Sequence, residues 1–270
     1  MPTLPSGPPP DREPHQAREV AESFGSDPER YDRARPRYPE ALIEAITAAS
    51  PGPEVVDVGC GTGIAARQFQ AAGCRVLGVE PDHRMAEWAR GRGLPVEVAA
   101  LESWDTRGRH FDAVVAGQTW HWVEPVAGAA KAAEALRPGG RLAVFWNVGR
   151  PPEEVAEAFT EVYRRILPDS LASRQWTAAG ADSYAGLCRT AAEGMQQAGA
   201  FGEPEQWRFD WQRTYTRDEW LDHLPTTGGH TRLAPADLER VLEEVGAAVD
   251  ALGGAFTMPY TAMAVTAVRS

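Results

Sequence analysis

Cysteine is scarce in this chain, and lysine scarcer. Three cysteines occur in 270 residues, Cys60, Cys74 and Cys188, and no two stand at C-x-x-C spacing. That count and spacing argue against a disulfide framework and against a thiolate zinc site. His15, His83, His110, His121, His223 and His230 have no metal-ligand spacing either, so no metal is expected. Lys131 is the only lysine, and arginine carries almost all the positive charge. No apolar run reaches 18 residues, and the N-terminus lacks an apolar signal core. The formal net charge of −11 argues against a broad basic surface for nucleic acid. The expectation is a cytoplasmic protein with no membrane or nucleic-acid partner, acting as a monomer or homodimer.

Three nucleotide and nucleophile signatures are also missing. There is no G-x-G-x-x-G fingerprint, so a nicotinamide oxidoreductase is disfavoured. No Gly-Lys-Ser/Thr follows the glycines, which removes a P-loop, and no nucleophile elbow is present. What stands in their place is Val55-Val56-Asp57-Val58-Gly59-Cys60-Gly61-Thr62-Gly63, with a helical pattern from Ile64 to Ala72. A buried strand runs into a G-x-G-x-G turn and then a helix N-terminus. Free amides and a positive dipole end face any ligand there. Glycines let the loop bend sharply and let a ligand approach the backbone. Seventeen residues after Gly63, a second strand pattern ends in Glu80. A carboxylate at that place can accept both hydroxyls of a ribose.

The remaining chain reads as alternating strands and helices. Residues 1–23 are Pro-rich and charged, and an unstructured tail is expected. Between Tyr31 and Tyr38 lie two tyrosines and three arginines, read as a lid or as a solvated entry to the next helix. Asp82 can cap a helix carrying Met85, and Val96-Glu97-Val98 is a short third strand. Phe111–Ala116 is a buried fourth strand running straight into Gln118-Thr119-Trp120-His121-Trp122. Sites in parallel α/β sheets lie at the carboxyl ends of strands, so this loop is the best active-site candidate. Arg141–Trp146 is the fifth strand. Residues 151–190 read as a helical insertion on the substrate side, with Trp176 and Tyr184 in it, and Thr190–Ala198 as the last crossover helix. Trp207, Phe209 and Trp211 alternate along a strand, and Thr216 to Glu219 has capping-box character. Residues 24–150 and 191–270 then form one domain, which 43% hydrophobic residues can supply with a core.

Asp57 to Gly63, with Glu80-Pro81-Asp82 behind it, resembles the nucleoside and methionine pocket of class I S-adenosylmethionine (SAM) dependent methyltransferases. Tyr31 to Pro39, Gln118 to Trp122, and the tail with Trp211, Tyr215, Thr216, Trp220, Thr226 and Tyr260 are similar to the trans-aconitate methyltransferase-like group. The resemblance implies an α/β, Rossmann-like seven-stranded sheet of order 3-2-1-4-5-7-6 with strand seven antiparallel. It implies that Asp57, Gly59, Cys60 and Gly61 line the methionine and ribose path, and that Glu80 takes the ribose hydroxyls. Pro81, Met85, Leu101 and Glu102 would lie at the adenosine, although the family commonly has Ala-Glu where this chain has Leu101-Glu102. Gln118 and Tyr31 would reach the methionine end.

For the acceptor, Tyr38, Arg35, Trp120, Trp122 and Trp146 are the expected contacts, Arg35 holding an anion. His121 is a general base, a hydrogen-bond donor to the acceptor, or a structural imidazole wedged between tryptophans. The expected activity is methyl transfer from SAM to a small molecule, with O-methylation (a carboxyl group being one candidate) slightly ahead of C- or N-methylation of a natural-product intermediate. A SAM-binding protein without turnover is the remaining alternative.

Overall fold

Residues 18–168 and 178–270 are described by the structure, a computed structural model. The tail expected over 1–23 falls mostly outside them, as does Trp176, but Arg18–Ser23 is helical. The elements run α1 (Arg18–Ser23), α2 (Pro28–Ala34), α3 (Glu40–Ala48), β1 (Glu54–Val58), α4 (Ile64–Ala71), β2 (Arg75–Val79), α5 (His83–Arg90) and β3 (Val96–Glu97). They continue as β4 (Phe111–Gly117), α6 (Pro125–Ala135), β5 (Leu136–Gly149), α7 (Glu153–Ile166), α8 (Ala178–Ala198), β6 (Glu205–Thr216), α9 (Arg217–His223), α10 (Pro235–Ala251) and β7 (Ala255–Val268).

The seven strands form one sheet in the order 3-2-1-4-5-7-6. Only β7 runs against its neighbours β5 and β6. Alternation in the central strands fixes two cores. Val114 and Ala116 of β4 and Leu142, Val144 and Trp146 of β5 face α6 and α8. Ala113, Val115, Ala143 and Phe145 face the other way, onto α3 and α4 through Leu42, Ile43, Ile46, Ala66 and Phe69. A strand buried on both faces needs apolar residues throughout, which is why β4 shows no polar alternation beyond Asp112.

A third core comes from the excess length of β6 and β7. Asn147 pairs with Ala262 and Gly149 with Tyr260, so Ala255–Pro259 extends past the carboxyl end of β5. That overhang, with Tyr215, Phe256 and Met258, packs against α7, α9 and α10 through Val155, Phe159, Trp220, Val241 and Val245. A helical unit therefore stands above the carboxyl edge of the sheet. The helical insertion was expected to end at residue 190, but α8 is one continuous helix across that position. Its lower half packs on α6 and the sheet, where Cys188, Ala191 and Met195 are buried. The alanines of α8 read as crossover helix in sequence only where apolar spacing sharpens.

The N-terminal α2 bridges the two parts. Asp32 pairs with Arg67 at 2.5 Å and Arg92 at 3.4 Å, on the sheet domain. On the helical unit, Asp222 accepts two bonds from Arg33 at 2.8 and 2.9 Å and one from Arg30 at 3.1 Å. Solvent-screened pairs such as those on Asp222 steer α2 more than they stabilise the fold. Asp222→Ala should leave the melting temperature nearly unchanged but raise amide exchange across Pro28–Ala34 by about tenfold or more in hydrogen-exchange mass spectrometry. Unchanged exchange there would mean that the sheet domain alone holds the cap.

Candidate functional site

β1 ends in a backbone conformation that side chains resist. Gly59, Gly61 and Gly63 have φ of +58°, +54° and +86°. Gly59 has no room for a Cβ, which would come within 2.2 Å of Thr119. Thr119 donates its hydroxyl to the Gly59 carbonyl at 3.0 Å, tying the loop to the end of β4. Gly61 is the opposite case: a Cβ there would meet nothing within 4 Å, because it faces the open cleft. Glu80, at the end of β2, accepts from the Gly61 amide at 2.8 Å and from the Asp82 amide at 2.9 Å. Sequence spacing marked Glu80 as a ribose partner; in the fold it also clamps the glycine loop.

The cleft over this loop is lined by Tyr31, Arg35, Pro36, Tyr38 and Gln118 with Asp57, Gly59, Cys60, Gly61 and Asn147 among others. Gln118 stands at φ +56°, a conformation that costs a non-glycine residue about 1–3 kcal/mol. Its amide is held by the Phe145 carbonyl at 2.8 Å. Asn147 was not singled out in the sequence, yet it joins three elements. Its amide nitrogen donates to the Arg37 carbonyl at 3.0 Å, and its oxygen accepts from Trp211 at 3.2 Å. Its own carbonyl lies 3.4 Å from the Gln118 amide nitrogen. A polar residue ending the buried run of β5 was the one available signal.

The predicted residues separate into groups. Tyr31, Arg35, Tyr38, Asp57, Gly59, Cys60, Gly61 and Gln118 meet in the cleft. Pro81, Met85, Leu101 and Glu102 lie at the ends of β2 and β3, with Met85 4% and Leu101 3% exposed, and they do not line it. Trp120 and Trp146, expected at the acceptor, turn into the core instead, at 2% and 1% exposure. Trp120 starts a 3-10 turn that folds it under α6, and Trp146 faces the same core by the alternation of β5. Only Trp122 of the three stays half-buried beside His121, with ring centroids 4.6 Å apart.

Two buried carboxyls dominate the electrostatics. Burial pushes the Asp57 carboxyl from 3.8 up to about 8, with Glu80 adding repulsion. Burial likewise lifts Glu80 to about 7, against the pull of its two amide donors. Asp57 Oδ2 and the Thr62 hydroxyl are buried without a hydrogen-bond partner. His121 is moved the other way, down to about 4, by burial and by Arg35. Trp146 Nε1–H donates to His121 Nδ1 at 3.2 Å. An indole nitrogen is only a donor, so the neutral ring carries its proton on Nε2. His121 therefore offers a donor and has its one lone pair occupied.

The arrangement fits a cationic, ribose-bearing ligand. The unpartnered Asp57 oxygen suits an ammonium, the space over Gly61 admits a chain beside the backbone, and Glu80 stands one loop away. Fold and site together define a class I methyltransferase architecture. The sequence profile of the methyltransferase domain matches residues 31–252, and the chain belongs to that family. Uncharacterized methyltransferases of Mycobacterium bovis and Mycobacterium tuberculosis are 38% identical over 133 residues, 48% of this chain and 54% of theirs. A ubiquinone biosynthesis O-methyltransferase of Bordetella parapertussis is 30% identical over 173 residues, 57% of this chain and 70% of that one. The chain spans about half the length of the first of these curated relatives. A structure from Anaeromyxobacter dehalogenans, assigned provisionally to the type II methyltransferases, superposes with a TM-score of 0.63 at 24% identity, over 87% of this chain and 97% of that one. Among the described residues no helix is long and apolar enough to cross a membrane, and no cluster of ligating side chains is placed to hold a metal.

Asp57 makes the site pH-sensitive. Between its ordinary value of 3.8 and about 8, the folded chain holds a proton that the unfolded chain has released. Stability therefore falls as pH rises through that window. Thermal unfolding of the wild-type protein and Asp57→Asn from pH 5 to 9 should show a shallower fall in the variant. A cationic ligand should bind more tightly as pH rises through about 8, with proton release visible by calorimetry in two buffers. The two glycines should also separate. Gly59→Ala should destabilise by at least about 1–2 kcal/mol through the left-handed backbone alone, with the Thr119 clash added. Gly61→Ala should show the backbone loss only and lose more in ligand affinity.

Proposed function

We propose that this protein transfers a methyl group from SAM to an oxygen atom of a small-molecule acceptor, a carboxylate before any other. The observation that carries the oxygen choice is that His121, the imidazole after β4, is not available as a base. His121 has its lone pair engaged and titrates near 4. Burial raises Tyr38 above its ordinary value, Asp57 lies at the glycine loop, and both Glu80 oxygens accept backbone amides. Alcohols, phenols and activated carbons need such a base, whereas a carboxylate arrives ionised. A relative named for O-methylation in ubiquinone biosynthesis is consistent with an oxygen acceptor.

The residues have separable roles. Asp57 and Gln118 hold the methionine end, Glu80 the ribose, and the positive-φ glycines leave the backbone free to line the path. Tyr31 and Tyr38 close the cleft from the cap and exclude water. His121 Nε2–H is a donor for orienting the acceptor, not a base. When bound, SAM supplies an electrophilic methyl: the acceptor oxygen's lone pair forms the new bond while the carbon–sulfur pair leaves with sulfur. Holding the reactants in line is the protein's main contribution, worth up to about 7–11 kcal/mol in the best intramolecular cases.

Calorimetric titration with SAM, with S-adenosylhomocysteine and with NADH tests the cofactor. Micromolar binding of the first two and none of the third is expected, and Glu80→Ala and Gly61→Arg should each abolish it. Unchanged SAM affinity in both variants would sink the pocket assignment. Label transferred from SAM should be released as methanol by mild alkali, as an ester is and an ether is not.

A further inference from the structure

β6 leaves one long edge of the sheet open. It stands last in the strand order, and among the described residues β7 is the one strand it pairs with, along Glu205–Thr216. Backbone groups in an antiparallel ladder alternate between the two sides of a strand. The Arg217 amide donates to the Gly254 carbonyl at 2.9 Å, in continuation of the β6–β7 register. Odd-numbered residues of β6 therefore spend their amides and carbonyls on β7, and Gln206, Arg208, Asp210, Gln212 and Thr214 turn theirs outward. Edges of this kind are commonly protected by shortness, proline, lysine, a bulge or a covering element. β6 runs for 12 residues with none of the first four, and the side chains of those five outward residues are exposed. Trp207, Phe209 and Trp211 lie on the opposite face, half-buried against the core beneath α3 and α4.

The residues of this edge are complementary to themselves. Read outward from Phe209, the run Glu205-Gln206-Trp207-Arg208-Phe209-Asp210-Trp211-Gln212-Arg213 sets Arg against Asp, Trp against Trp, Gln against Gln and Glu against Arg. We propose that β6 pairs antiparallel with β6 of a second copy of this chain, about a two-fold axis at Phe209, and so joins the two sheets into one. Arg208 then lies opposite the partner's Asp210, and Gln206 opposite the partner's Gln212. All four positions carry outward backbone groups, so the ladder gains about eight main-chain hydrogen bonds. Phe209 meets the partner's Phe209, Trp207 the partner's Trp211, and Glu205 the partner's Arg213. These are the non-hydrogen-bonded sites, where opposing side chains come closest and aromatic and opposite-charge pairs are favourable. The same residues fix the register. A slip of one residue would set outward groups against inward ones and carry the aromatic face to the wrong side of the sheet. Slips of two set Arg208 against the partner's Arg208, or Asp210 against the partner's Asp210, and like charges directly opposite are destabilising. Within the strand Arg208 and Asp210 already meet at 3.1 Å, but both are exposed there and water screens the pair. The charges on this edge thus select one partner and one alignment instead of barring every strand. The interface stands apart from the cleft and does not depend on the methyl-transfer reading.

The test is sedimentation equilibrium of the full chain from about 1 to 100 μM, with amide exchange read along β6. A dimer of micromolar or tighter affinity is expected, with the amides of Arg208, Asp210 and Gln212 protected in concentrated protein and fast on dilution. Arg208→Asp and Asp210→Arg should each weaken the dimer by roughly 10-fold or more, since each sets like charges opposite one another twice. The double variant exchanges the two charges and should restore the affinity. Gln212→Pro removes an outward amide that β7 does not use, so it should weaken the dimer while circular dichroism stays unchanged. A monomer across the whole range would overturn the proposal, and protected β6 amides in that monomer would assign the edge to another segment of the chain. A dimer of unchanged affinity in both Arg208→Asp and Gln212→Pro would overturn it too, because its interface would lie elsewhere. Failure of the double variant to recover what the single variants lose would remove the two-fold register.

Discussion

Two hydrogen bonds accepted by one buried carboxylate hold the site together. Glu80 receives the amides of Gly61 and Asp82, and so joins the loop after β1 to the turn after β2. The rest of the loop is held by the Gly59 amide on the Val79 carbonyl at 2.7 Å and by the Thr119 hydroxyl on the Gly59 carbonyl at 3.0 Å. The loop is built of residues that lose the most entropy on ordering, so it needs such a clamp. The same carboxylate is the ribose partner in the proposed reading, and burial has already raised it to about 7. Structural and binding demands thus fall on one group. Protonation of Glu80 would weaken both together.

The helical unit above the carboxyl edge of the sheet exists because β6 and β7 run past the end of β5. Their overhang founds a separate core of Phe159, Tyr215, Trp220 and Phe256 directly above the glycine loop's edge. Tyr260 sits at the junction, stacked on Trp211 at 4.6 Å and bonded to Tyr215. Trp211 in turn reaches Asn147, and Asn147 reaches the cap. The cap helix is gripped by Asp32 ion pairs below and by Asp222 above. Arg35 follows that helix immediately, in extended backbone at φ −66° and ψ 142°.

Much of this was legible in the chain. Three glycines at alternate positions after a β-branched run specified a left-handed loop, because side chains are excluded there by sterics. The acid ending the second strand, the buried fourth strand and the alternation of Trp207, Phe209 and Trp211 specified elements and faces in the same local way. Strand order followed from resemblance, and the pairing bears it out. The tryptophans were where local reading failed. Trp120, Trp122 and Trp146 look alike in sequence, yet the first and last are core and only the middle one stays half-buried.

The sequence by itself determined the glycine loop, its acid and the strand-and-helix alternation, since those depend on sterics and periodicity within a few residues. The tertiary structure alone decided the tautomer of His121, the Asn147 junction and the grip of Asp222 on the cap. Each depends on partners far apart in the chain: Trp146 lies 25 residues from His121, Trp211 lies 64 from Asn147, and Asp222 lies 189 from Arg33. A residue's charge is written in its identity. Whether that charge is neutralised depends on which distant side chains the fold brings to it.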